Sequence, residues 1–144
     1  MSIIATSKIL LTSAGFESDK VKSTFLKFLG KVPQDAKALF IPTAANNAGA
    51  IVVLSKCMND LLKVGIAEEN IRVFDLHCAL SFDELSVFDA VYFTGGSPQY
   101  LMERINNTGF NSHLNKFVNN GGIYVGLVQA VMLPQVICPI VWGF

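Results

Sequence analysis

"FDAVYFTGGSPQYLM", Phe88 to Met102, is the stretch that decides the reading of this chain. Ala90 to Phe93 is a short, nearly continuous apolar run, the pattern of a strand covered on both faces. Gly95 and Gly96 end it with a turn that lets the backbone approach a ligand closely. Ser97 and Pro98 then fit an N-cap and a first helical position, which aim free N–H groups back over the strand end. The unit is therefore strand, glycine turn, helix.

The same unit recurs on either side. "KILLTS" (Lys8 to Ser13) is an apolar run closed by Ala14 and Gly15, and Val21, Phe25, Phe28 and Leu29 follow at helical spacing. "KALFIPTA" (Lys37 to Ala44) is a second strand. "AIVVLSKCMNDLLKVG" predicts one longer helix with Ile51, Leu54, Met58, Leu61 and Leu62 on one face and Gly65 as its stop. "NIRVFDL" is a third strand, and "SFDEL" offers a capping box, Ser81 with Glu84, before the fourth. After it come the helical stretches "SPQYLMERI" and "GFNSHLNKFVNN" and the fifth strand, "GIYVG", ending at Gly126. Buried strands alternating with helices predict an α/β fold, a three-layer, doubly wound and mostly parallel sheet. Ligands of such sheets bind beyond the carboxyl ends of the strands, where the strand order reverses. The crevice loops are then those holding Ser13 and Gly15, Asn46, and Gly95, Gly96 and Ser97. The last three could hold an anion or a developing oxyanion.

Composition bounds the rest. The chain has 144 residues, 51% of them hydrophobic, with 11 basic and 11 acidic side chains and no Lys/Arg cluster. That supports one domain with a real core, and it offers no electrostatic footprint for nucleic acid or an anionic membrane surface. Cys57, Cys78 and Cys138 are widely spaced, which indicates neither a disulfide framework nor a zinc site and points to a reducing, cytoplasmic home. The N-terminal run reads as a first strand, not a signal peptide. No metal is expected.

Taken in order, "KILLTSAG", "ALFIPTAAN", "FDAVYFTGGSPQYLM" and "NNGGIYVG" resemble the N-terminal two thirds of the peptidase E (aspartyl dipeptidase) family of serine peptidases. The resemblance implies a class I glutamine amidotransferase-like (flavodoxin-like) fold. It also implies hydrolysis of short peptides through an acyl-enzyme, without a cofactor, with Gly95, Gly96 and Ser97 at the oxyanion and substrate site. In the family the fifth strand runs into a turn of the form G-x-S-A-G, whose Ser is the nucleophile. Here "LVQAV" follows Gly126, and no Ser stands between there and Phe144. On this reading residues 1–126 are the N-terminal portion of one peptidase E-like domain, whose C-terminal part is missing. No catalytic residue is present: the nucleophile expected just after Gly126 is lost, as is the downstream His, and the chain is expected to be inactive.

Residues 127–144 form an apolar tail that reads as out-of-frame translation. The codons GGA TTA GTG CAG GCA GTG are one permitted choice for Gly126 to Val131; read from the third base, they give I-S-A-G-S. One lost base would thus hide the missing motif. A membrane span over the uncharged run Gly121 to Phe144 is opposed by Pro134 and Pro139, by Gln129 and Gln135, and by the absence of a following Lys or Arg. The alternative function is a non-catalytic small-ligand-binding or interaction domain of the same fold. An incomplete sheet would leave apolar surface exposed, so low solubility or a homo-oligomer is expected. His113, spaced helically from Phe110 and Phe117, reads as a rim residue. His77 follows the third strand with no evident acidic partner and reads as structural. Cys57 reads as a buried small hydrophobe. Cys78 lacks the elbow context a nucleophilic cysteine requires.

Overall fold

Each apolar run becomes a strand in the computed structural model, which describes residues 8–12, 19–45 and 47–127. In chain order the elements are β1 (Lys8–Thr12), α1 (Asp19–Leu29), β2 (Ala38–Ile41), α2 (Ala48–Val52), α3 (Leu54–Lys63), β3 (Ile71–Val73), α4 (Phe82–Leu85), β4 (Ala90–Phe93), α5 (Pro98–Thr108), α6 (Phe110–Asn119) and β5 (Ile123–Leu127). The strands form a five-stranded sheet in the order β1-β5-β4-β2-β3, and every pairing is parallel. β5 ends at Leu127, one residue beyond the boundary expected from the sequence, because Leu127 pairs with Thr12 of β1.

Alternation along the strands builds two cores, one on each face. Val91 and Phe93 of β4 pack with Tyr124, Leu101, Ile105 and Phe110, on the side of α4, α5 and α6. Ala90 and Tyr92 point the other way, to Phe25 and Leu29 of α1 and Cys57 and Leu61 of α3. This is the three-layer α/β arrangement. Phe93 is fully buried, with its ring 5.3 Å from that of Tyr124 and edge-on to Phe110 at 6.4 Å. A large side chain so buried contributes about 1.5–3 kcal/mol.

Helix ends follow local chemistry. Ser81 and Glu84 form the capping box that opens α4. Ser97 caps α5, its hydroxyl accepting the Tyr100 N–H, with Pro98 next to it. The single helix expected over Ala50–Val64 is in fact two. The Asn47 side chain accepts the Ala50 N–H and starts α2, which stops at Val53 (φ −89°, ψ 0°), and α3 begins one residue on. Ile51 consequently leaves the predicted face and is exposed, as are Val52 and Val53. Among the described residues no helix is long and apolar enough to cross a membrane. The tail beyond Leu127 lies outside the described residues.

Candidate functional site

The sheet order reverses between β2 and β4. From β2 the chain leaves through α2 and α3 toward β3, on one face; from β4 it leaves through α5 and α6 toward β5, on the other. Adjacent strands with connections diverging in this way mark the switch point at which doubly wound sheets bind ligands. The loops there are Pro42–Ala45 and Thr94–Ser97.

These two loops are joined. Ser97 N–H donates to Ala44 O at 2.8 Å, and Thr94 N–H donates to Ile41 O at 3.2 Å. Gly96 has φ 144°, and a Cβ on it would stand 1.9 Å from Ala44 O. The sequence suggests that this glycine lets the backbone approach a ligand; in the structure the close approach is made by the neighbouring loop, at Ala44. Among the described residues, the N–H groups of Gly95 and Gly96 have no backbone acceptor. Thr94 is buried, and its hydroxyl has no hydrogen-bond partner among the described residues.

A third loop, after β3, is tied to the Pro42–Ala45 loop. Thr43 Oγ1 donates to Asp75 Oδ1 at 2.7 Å and accepts the Leu76 N–H at 2.9 Å. Asp75 Oδ2 in turn lies 2.9 Å from His77 Nε2. Arg104 reaches back from α5 to donate to Leu76 O at 2.8 Å and to His77 O at 3.2 Å. The sequence reading found no acidic partner for His77; Asp75, two residues before it, is that partner. The signal lies in that spacing, because a tight turn, here with His77 N–H donating to Asp75 O at 2.8 Å, brings residues two apart together. Thr43, Asp75 and Arg104 were not singled out from the sequence. Arg104 stands seven residues after Ser97, which on a helix is about two turns and the same face, and that spacing was the available clue.

His77 is not placed to serve a nucleophile at the end of β5. β4 and β2 lie between β3 and β5, so the two strand ends are about 14 Å apart at ordinary strand spacing. His113 is on α6, partly buried, outside these loops. Ser13, Gly15 and Asn46, the remaining expected crevice residues, lie outside the described residues. Cys78 is exposed in the loop after β3. Cys57 is buried on α3 beside a second polar group: Tyr92 Oη donates to Asp60 Oδ2 at 3.4 Å, and Lys56 Nζ is 3.7 Å from the same carboxylate. Burial pushes both the Cys57 thiol and the Tyr92 phenol up from their ordinary values, which leaves them neutral and unreactive. Among the described residues no group of three or more His, Cys, Asp or Glu could hold a metal ion.

The model of Peptidase family S51 matches residues 9–128. The chain belongs to this peptidase E family. An uncharacterized peptidase of Pasteurella multocida (strain Pm70) is 24% identical over 109 residues, covering 76% of this chain and 52% of that protein. The chain thus spans about half the length of the curated relative it matches. Among solved structures, a protein assigned as a peptidase E from Listeria monocytogenes EGD-e superposes with a TM-score of 0.70 at 21% identity, over 89% of this chain and 61% of that one. A peptidase from an acI-B1 Actinobacterium gives 0.60 at 20% identity, over 88% and 55%. The sheet and its layers are those of the S51 fold.

Proposed function

We propose that this chain is the N-terminal portion of a serine-type dipeptidase domain acting on short peptides, and that, as written, it binds such peptides without hydrolysing them. The observation that carries the reading is the pairing of β4 with β5. Phe93 stands opposite Gly126, so the Thr94–Ser97 loop leaves β4 at the same end of the sheet at which β5 ends. In an intact member of the family, a Ser in that segment attacks the scissile carbonyl while a His takes its proton. The N–H groups of Gly95, Gly96 and the residue after the Ser hold the oxyanion. Two residues after Gly126, where the G-x-S-A-G turn has its Ser, this chain has Val128, and the family match stops there. Losing a serine nucleophile costs on the order of a millionfold in kcat. The shifted reading frame over residues 127–144 is part of the same proposal.

Assay of the purified chain against dipeptides with an acidic first residue is expected to show no turnover above buffer. Hydrolysis that follows the protein through purification and is blocked by a serine-directed inhibitor overturns the inactive reading. Sequencing the coding DNA from the Gly121 codon onward tests the frame: an S-A-G-S reading one base away supports it. With no such reading, a non-catalytic ligand-binding domain of the same fold is what remains.

A further inference from the structure

We infer that Thr43 is a positioning residue for the Gly95–Ser97 loop, acting through Ala44. The inference rests on reading that loop as the oxyanion and substrate loop. Thr43 is 4% exposed, and its hydroxyl is used twice, as donor to Asp75 and as acceptor from Leu76. The next residue, Ala44, carries the carbonyl that accepts the Ser97 N–H and fills the space where Gly96 would carry a Cβ. Fixing Thr43 therefore fixes the Ala44 carbonyl, and that carbonyl fixes Gly96 and Ser97.

The bonds close into a ring. From Ser97 they pass to Ala44, along the chain to Thr43, and from Thr43 to Asp75 and Leu76. Leu76 and His77 offer their carbonyls to Arg104, which lies on α5, the helix that Ser97 itself caps. The direction of the Gly95 and Gly96 N–H groups is thus set before any ligand arrives, and donors fixed in advance need no reorganisation when charge develops on an oxygen. Removing the Thr43 hydroxyl opens the ring at a buried point and takes one partner from both a carboxylate and a backbone N–H.

Amide hydrogen exchange of the chain without ligand tests this, with Thr43→Val, Thr43→Ser and Arg104→Gln compared with the parent. In Thr43→Val the Ser97 amide is expected to exchange about tenfold faster or more, while Val91 and Val125 in the sheet stay within about twofold. Thr43→Ser, which keeps the hydroxyl, restores Ser97 to within about threefold. Arg104→Gln accelerates Ser97 without touching the strands, and it decides alone, by the same two criteria, should Thr43→Val not fold. Unchanged Ser97 exchange overturns the inference. So does equal acceleration of loop and strands, which would make Thr43 a stabiliser of the fold only. No peptide enters the measurement, so a chain that binds no dipeptide defeats the proposed function while leaving this result readable.

Discussion

At the scale of single residues, Gly96 carries the most specific structural demand. Its φ of 144° is strained for any side chain, and the place of a Cβ is already filled by Ala44 O. Gly96→Ala is expected to lower stability in urea titration by about 2–4 kcal/mol, from backbone strain plus the displacement of the β2 loop. A loss below about 0.5 kcal/mol would mean that the two loops do not touch. Two of the three cysteines, Cys57 and Cys78, make a contrasting pair. Cys78 is exposed, whereas Cys57 is buried with its thiol pushed up. Iodoacetamide at mild alkaline pH, followed by peptide mass mapping, should label Cys78 in the folded chain and reach Cys57 only after denaturation. Early labelling of Cys57 would place α3 away from the sheet. The sequence showed Gly96 as a turn glycine and Cys57 as a helix residue. It did not show the contact with Ala44, which joins residues far apart in the chain.

At the scale of elements, caps were legible and interruptions were not. Ser81 and Glu84 stand three residues apart and form the expected reciprocal box, with Glu84 N–H donating to Ser81 Oγ at 3.2 Å and Ser81 N–H donating to Glu84 Oε1 at 3.3 Å. Ser81→Ala should cost about 1 kcal/mol in denaturant melts, since α4 is a single turn that depends on its cap to hold Leu85 in the core. No change would mean that packing alone holds the turn. The break at Val53 is different, because Ile51, Val52 and Val53 continue an apolar pattern that fits a helix face equally well. Asn47 sets the start of α2 so that those side chains project outward, and Val52 is 75% exposed. Val52→Lys should then change stability in denaturant titration by no more than about 0.5 kcal/mol. A loss above about 1 kcal/mol would show that Val52 is covered.

At the scale of the whole molecule, buried titratable groups link the fold to pH. Cys57, Tyr92 and Tyr124 are all raised in the folded chain, chiefly by burial, from ordinary values of 9.0 for the thiol and 10.0 for the phenols. Below those values both states hold the proton and stability does not depend on these groups. Above them the unfolded chain releases protons that the folded chain keeps, so the unfolded state gains. Stability should therefore stay level up to about pH 9 and then fall, by about 1.4 kcal/mol per pH unit for each group past its ordinary value. Denaturant titrations from pH 7 to 11 measure this. A flat profile would mean that the core around Tyr92 and Tyr124 is wet.

What the amino-acid sequence determined by itself is whatever local pattern can encode. Apolar runs made strands, helical spacing buried Phe25 and Leu29, Ser81 and Ser97 started their helices, and glycine pairs marked the turn after β4. Together these were enough for the α/β class and for the resemblance to peptidase E. Strand order belongs to the tertiary structure alone, because a run such as Ala90–Phe93 is apolar on both faces and fits many positions in a sheet. Only once β4 lies between β2 and β5 does the Thr94–Ser97 loop meet Ala44 and leave β4 at the same end of the sheet at which β5 ends. The ring through Thr43, Asp75 and Arg104 has the same origin. Its members are scattered along the chain, and only the parallel stacking of three strand ends brings them within hydrogen-bonding reach.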